Sequence, residues 1–167
     1  CSVGTSLMRT SRGPLGVRAQ ALSVLATTLS LPGASALARI GGRPTPCETT
    51  IAGIATTVVR PSSAPPWPAL VFMNGATPDG RRHPTVHRLS LALARARVCV
   101  FIPELAGVAA GELSPRTVAQ AVAVSEAAAR RPETADERVA LVGVSVGGTL
   151  SLLAAADSRL RHHISVV

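Results

Sequence analysis

The sequence predicts an α/β fold, a mostly parallel sheet with helices on both of its faces in a three-layer sandwich. Ala69–Met73 (ALVFM), Val98–Ile102 (VCVFI) and Val139–Val144 (VALVGV) are continuous apolar runs, the pattern of strands buried on both faces. Between them lie segments whose apolar residues recur at helical spacing. Strand and helix therefore alternate, and that alternation implies right-handed crossovers joining parallel strands of an open sheet.

The first forty residues stand apart from this pattern. Arg9, Arg12 and Arg18 precede twenty uncharged residues, Ala19–Ala38, in which Pro32-Gly33-Ala34-Ser35-Ala36 supplies an A-x-A cleavage pattern. This is the layout of a secretory signal peptide. Arg39 and Arg43 on the far side also fit an uncleaved membrane anchor, and an ordinary helix is the third reading. A signal or an anchor would export the protein or attach it to a membrane, whereas a plain helix would leave it cytoplasmic. Residues 41–46 (GGRPTP) read as a linker, because two Gly and two Pro in six residues oppose both helix and central strand. The folded domain is expected over residues 47–167.

Within that domain, Thr49–Arg60 is β-branched with a small turn at Ala52-Gly53, which predicts a hairpin or bent edge strands. Pro61–Pro68 holds four prolines in eight residues and reads as a loop. After the first buried run, His83–Arg97 carries Val86, Leu89, Leu93 and Ala96 on one helical face, with Pro84 suited to the first turn. Pro103 closes the second buried run, and Ser114-Pro115 opens a second helix as N-cap and first helical residue. Pro132–Arg138 is polar, the third buried run follows, and Thr149–Ala156 is a third helix. His163–Val167 begins a further strand. The chain starts at Cys1 and stops inside that strand, so the fold is expected to be incomplete at its C-terminus.

Composition narrows the function. The net charge of +8 suggests a nucleic-acid partner, but five arginines precede the first acid, Glu48, and from there 12 arginines against nine acids leave only +3. These arginines are scattered, and Trp67, Phe72 and Phe101 sit beside apolar runs rather than on a basic stacking surface, so no nucleic-acid partner is expected. Cys1, Cys47 and Cys99 are too few and too dispersed for a disulfide scaffold, and no Cys/His cluster has metal-ligand spacing. Neither a metal nor a cofactor is expected.

The chemistry concentrates at Gly143-Val144-Ser145-Val146-Gly147, a G-x-S-x-G pattern between a buried strand and a helix. A sharp strand-to-helix turn there needs glycine at 143 and 147, because side chains would collide across it. Gly148 is expected to let the helix approach the sheet. The turn would lift Ser145 Oγ above the carboxyl ends of the strands and leave the Val146 N–H at a helix N-terminus, suited to a developing oxyanion. Asn74-Gly75-Ala76-Thr77 ends another strand on the same edge, and Ala76 is the chosen second donor, with Gly75 and Thr77 as alternatives.

With these motifs, the stretch from about residue 48 to 167 resembles the first half of an α/β-hydrolase, near the dienelactone-hydrolase and prolyl-oligopeptidase-like branch with G-x-S-x-G-G. The resemblance implies Ser145 as nucleophile and Val146 and Ala76 as oxyanion donors, with an acid and a histidine that follow later in the chain. It departs from many relatives in having Asn74 where they have His and Glu104 where they have Asp. The acid and histidine would lie beyond Val167, so the 167 residues alone are expected to be nearly inert. His83, His87, His162 and His163 read as surface or capping residues.

The favoured reading is a serine hydrolase of esterase, lactone-hydrolase or peptidase type, cleaving a small-molecule ester or amide through an acyl-enzyme on Ser145. The alternative is a non-catalytic α/β-hydrolase-like binding domain at the membrane or outside the cell. A phosphate-binding turn at Gly143–Gly148 lacks both G-x-G-x-x-G spacing and a Walker lysine. The bland reading of Ser145 is a helix N-cap. Leu105–Gly111 (LAGVAAG) is expected to border the cleft and to suit a neutral or hydrophobic acyl group.

Overall fold

A computed structural model describes residues 42–167. The candidate signal or anchor over residues 1–40 lies outside the described residues. Among the described residues no helix is long and apolar enough to cross a membrane.

Six strands form one sheet: β1 (Thr45–Ile51), β2 (Ile54–Arg60), β3 (Trp67–Met73), β4 (Cys99–Pro103), β5 (Thr134–Gly143) and β6 (Ile164–Val166). Helix α1 (Pro84–Arg95) connects β3 to β4, α2 (Pro115–Ala129) connects β4 to β5, and α3 (Val146–Ala155) connects β5 to β6. The spatial order is β1-β2-β4-β3-β5-β6. The pairs β4/β3, β3/β5 and β5/β6 are parallel, while β1/β2 and β2/β4 are antiparallel. The α/β class, the largely parallel sheet and the two helical layers are as the sequence predicts.

Alternation along each strand builds two cores. Val58, Val71, Met73, Phe101, Val139 and Leu141 point to one face, where they meet Val122 and Val124 of α2 and Leu150 of α3. Val59, Leu70, Phe72, Val100 and Ile102 point to the other, against Val86, Leu89 and Leu93 of α1. The predicted apolar stripe of α1 is thus its packed face, while Ala96 caps its end rather than extending it. Ser114 caps α2 by accepting a hydrogen bond from Thr117 N–H at 3.1 Å, with Pro115 as first helical residue. Ala52 and Gly53 turn the hairpin with φ of 50° and 77°, the doubly left-handed two-residue turn that matches strand twist.

Four boundaries differ from expectation. β1 begins at Thr45, inside the expected linker 41–46 and ahead of residue 47, and the edge position explains how Pro46 fits: its missing N–H can face away from the only neighbouring strand. β3 begins at Trp67 rather than Ala69, with a register irregularity at Pro68 and a hydrogen bond from Trp67 N–H to Glu133 O at 2.8 Å. β5 begins at Thr134 within the polar stretch, interrupted by Asp136 and Glu137 at φ of 57° and 52°. Helix α3 starts three residues earlier than expected, directly after Ser145.

Candidate active site

The order β4-β3-β5 makes the boundary between β3 and β5 a topological switch point. From β3 the chain passes through α1 to β4 on one side, and β5 lies on the other, with α1 and α3 on opposite faces. Turns leaving neighbouring strands in opposite directions open a crevice at the carboxyl edge, where open α/β sheets bind ligands. The turn after β5 carries Ser145 and the turn after β3 carries Gly75 and Ala76.

Ser145 adopts φ 54° and ψ −126°, a region that costs a non-glycine residue on the order of 1–3 kcal/mol. The surrounding backbone holds it there. Val144 N–H donates to Met73 O at 3.2 Å, Gly147 N–H to Val144 O at 2.9 Å, and Gly148 N–H to Ser145 O at 2.8 Å. Buried Ser151 on α3 donates its hydroxyl to Gly147 O at 2.9 Å. A Cβ on Gly143 would fall 2.5 Å from Gly148 N and nearer still to Gly147 C and O, and one on Gly147 would fall 2.7 Å from Met73 C, so both glycines are sterically required. Gly148 is different: its Cβ would make only ordinary contact, 3.5 Å from Gly143 O, so the expected role in close approach is not needed.

Ser145 is exposed and stands at the N-cap position of α3, but its side chain makes no capping hydrogen bond, so capping does not occupy its hydroxyl. The Val146 N–H belongs to the first turn of α3, whose leading amides have no intrahelical acceptor. Across the crevice, a Cβ on Gly75 would lie 3.0 Å from Val144 O and 3.4 Å from Ser145 Cβ, so the turn carrying Ala76 is packed directly on the serine turn.

Ser145 opens onto a cavity of about 310 Å³ whose walls include Phe72, Asn74, Ala76, Thr77, His83, Val86, Leu89 and Val144. Among the described residues no Asp, Glu or Arg lines it. The cavity extends along α1, not along Leu105–Gly111 as expected. Leu105, Val108 and Ala109 instead line a separate recess of about 10 Å³ with Asn74 and Glu104, behind the Gly75 turn.

The histidines take the predicted minor roles. His83 caps α1, its Nδ1 accepting from Thr85 N–H at 3.2 Å, although its ring also borders the cavity. His87 is exposed. His163 Nδ1 lies 2.9 Å from Glu137 O, beside the start of β5 at the opposite edge from Ser145. Among the described residues no group of three or more His, Cys, Asp or Glu could hold a metal ion.

Three features escaped the sequence reading. Asn74 is buried and its Oδ1 has no hydrogen-bond partner, Ser151 ties α3 to the serine turn, and the Arg81 side chain joins three elements beside the Ala76 turn. None has a local signature, apart from the Arg81-Arg82 pair within a polar loop.

Comparison with known proteins gives the same placement. By overall structure the chain is similar to a thermostable esterase from Pseudomonas putida (TM-score 0.59, 21% identity, 93% of this chain and 50% of that one). It is similar to dienelactone hydrolase from Anabaena variabilis (TM-score 0.59, 20% identity, 74% and 62%). It is also similar to brefeldin A esterase, a bacterial homologue of human hormone sensitive lipase (TM-score 0.59, 20% identity, 98% and 50%). The chain therefore spans about half to three fifths of the length of these structures. A search of curated proteins finds no match. The alpha/beta hydrolase family profile matches residues 70–167, a span that includes both turns of the crevice, and the chain belongs to that family.

Proposed function

We propose that this chain carries the nucleophile and oxyanion hole of a serine hydrolase that cleaves an ester or amide through an acyl-enzyme. Ser145 Oγ attacks the carbonyl carbon while its proton passes to a base, and the carbonyl oxygen becomes an oxyanion held by the Val146 and Ala76 amides. Collapse expels the alcohol or amine, which takes up the proton, and water then hydrolyses the acyl-Ser145 ester by the same steps in reverse order. No base or orienting acid is assigned within the described residues, where no carboxylate borders the cavity and the His83 Nδ1 is engaged in capping. Phe72, Val86, Leu89 and Val144 favour a neutral, apolar acyl group.

The observation that carries this reading is Ser145 itself: an exposed serine in strained backbone, excused from capping, at the mouth of a cavity and against the Gly75 turn. A helix cap requires none of that strain. In the complete protein, Ser145→Ala should abolish turnover of p-nitrophenyl esters and covalent labelling by a fluorophosphonate while leaving the thermal transition in place. Undiminished turnover in that variant would refute the assignment. The apolar walls Phe72, Val86, Leu89 and Val144 also suit a second reading, a non-catalytic domain that binds an apolar ligand. A complete protein that fails to react with the fluorophosphonate, yet takes up an apolar ligand in this cavity, would support it.

A further inference from the structure

We propose that Arg81 is a positioning residue that clamps the Gly75–His83 loop and so holds the Ala76 amide opposite Ser145; this rests on the hydrolase reading above. Gly75 packs on the serine turn at one end of the loop and His83 caps α1 at the other, and the stretch between them needs a further anchor. The loop's backbone hydrogen bonds lie in its far half, from Gly80 N–H to Thr77 O (3.0 Å), Arg82 N–H to Asp79 O (2.9 Å) and His83 N–H to Gly80 O (3.2 Å), with His83 O accepting from His87 N–H of α1 at 3.0 Å. The Gly75 and Ala76 amides, the ones that matter for an oxyanion, have no backbone partner among the described residues.

Arg81 supplies the missing constraint. Its side chain is only 9% exposed, and its guanidinium reaches three separate elements. It pairs with Glu48 of β1, donates to Thr57 Oγ1 of β2 at 2.6 Å, and brings Nε within 3.1 Å of Glu104 Oε2 just after β4, an ion pair that lacks hydrogen-bond geometry. The Thr57 hydroxyl donates in turn to Glu48 Oε1 at 2.7 Å, and Glu104 N–H donates to Ala55 O at 2.8 Å, so the anchors are themselves tied to the sheet. The Glu104 carboxylate also packs on the loop backbone: Gly80 has φ +49°, and a Cβ there would lie 2.8 Å from Glu104 Oε1. A planar, always-charged fork can serve several acceptors at once, which a lysine ammonium on a flexible stem does less well.

An ion pair whose carboxylates are half to largely exposed is by itself weak evidence of stabilisation. What this cluster does is set the position of a short loop whose catalytic amide must meet an oxygen to within a fraction of an ångström. Displacing such a donor by about 1 Å, or losing it, costs on the order of 10²-fold in rate.

The test compares Arg81→Met, Arg81→Lys, Glu104→Gln and Ser145→Ala in the complete protein, with kcat and KM measured on a p-nitrophenyl ester. Arg81→Met should lower kcat about 10- to 100-fold with KM changed by less than about threefold, as expected for loss of a transition-state contact. Arg81→Lys should regain about threefold or more of that loss. Glu104→Gln, at a half-exposed position, should lower kcat by about threefold and serves as the deciding variant if Arg81→Met does not fold. The clamp is overturned if the folded Arg81 and Glu104 variants keep kcat within about twofold of the parent, or if the loss falls wholly on KM. Turnover by Ser145→Ala would overturn the hydrolase reading itself, and the clamp with it, whatever the Arg81 variants do.

Discussion

Gly147 and Gly148 are sequence neighbours at the start of α3, and their replacement by alanine should have opposite effects. At Gly147 a Cβ would lie 2.7 Å from Met73 C and closer still to Met73 O and Asn74 O. Nonbonded carbons prefer about 3.5–4.0 Å, so the overlap is close to 1 Å. All three obstructing atoms are backbone, at the end of the central strand β3, and none can rotate away as a side-chain tip could. Overpacking typically costs about 1–3 kcal/mol, and this clash belongs at or above the upper end. At roughly 2–4 °C per kcal/mol for a chain of this size, Gly147→Ala should melt about 6–12 °C lower. Gly148→Ala meets nothing nearer than 3.5 Å and gains from removing a helical glycine, about 0.5 kcal/mol or a degree or two upward. Thermal melts of the complete protein, followed by far-ultraviolet circular dichroism, measure both. Fluorophosphonate labelling should survive in Gly148→Ala and fall in Gly147→Ala, since the clash pushes the serine turn off the end of β3. Equal transition temperatures for the two variants, or a Gly147→Ala protein that melts with the parent, would refute the steric account of this turn.

Three further outcomes follow from individual contacts. Ser114→Ala removes the oxygen that accepts from Thr117 N–H and should cost about 1 kcal/mol, read as a lower urea midpoint at unchanged slope. Burial pushes the Cys99 thiol up to about 12, so in a Cys1→Ser background Ellman's reagent at pH 8 should titrate half-buried Cys47 and reach Cys99 only after unfolding. The Thr57 hydrogen bond, and after it Arg81, hold the Glu48 carboxyl below its ordinary value. A folded-state value below the unfolded one gives stability that is present above the unfolded value and lost as the pH falls through the folded one. The difference in melting temperature between the parent and Glu48→Gln should therefore be present at pH 6 and shrink below about pH 4, by a modest amount because the Glu48 side chain is largely exposed.

Local chemistry decided which parts of this fold could be read from sequence. Buried strands announced themselves as apolar runs, the Ser114-Pro115 cap lies within two residues, and the Ala52-Gly53 turn needs no distant partner to bend. Strand starts were hidden where the pattern is broken by an exception the sheet tolerates. Pro46 sits on an edge strand, Pro68 at a register irregularity, and Asp136 and Glu137 interrupt β5 with left-handed backbone, so a polar ADER stretch reads as loop. The serine turn was legible because its requirement for glycine is steric and sequential. The Arg81 cluster was not, because its partners lie 33, 24 and 23 residues away in the chain and meet only after β1, β2 and β4 have assembled. For the same reason the cavity was assigned to the wrong loop: which helix walls it depends on the handedness of the β3-to-β4 crossover, not on the apolar character of either segment.

In the proposed mechanism an exposed serine and a backbone amide from a turn some seventy residues earlier act on one oxygen, and strand order supplies the required proximity. Neighbouring strands lie about 4.8 Å apart, so groups on the turns after β3 and β5 can both approach a point between them. Had the Ala76 turn followed β4 instead, two strand spacings, about 9.6 Å, would separate it from the serine turn, too far for both amides to lie within hydrogen-bond distance of the same atom. Adjacency alone is not enough, since two turns leaving on the same face would fill the space between them. The chain avoids this by sending α1 to one face and α3 to the other, which leaves the crevice open at the one place where strained Ser145 and the Gly75 turn touch. The site is thus a consequence of topology at the level of the sheet and of sterics at the level of the turn, and the proposed Arg81 clamp acts on the stretch of the loop after β3 that lies beyond the Gly75 contact.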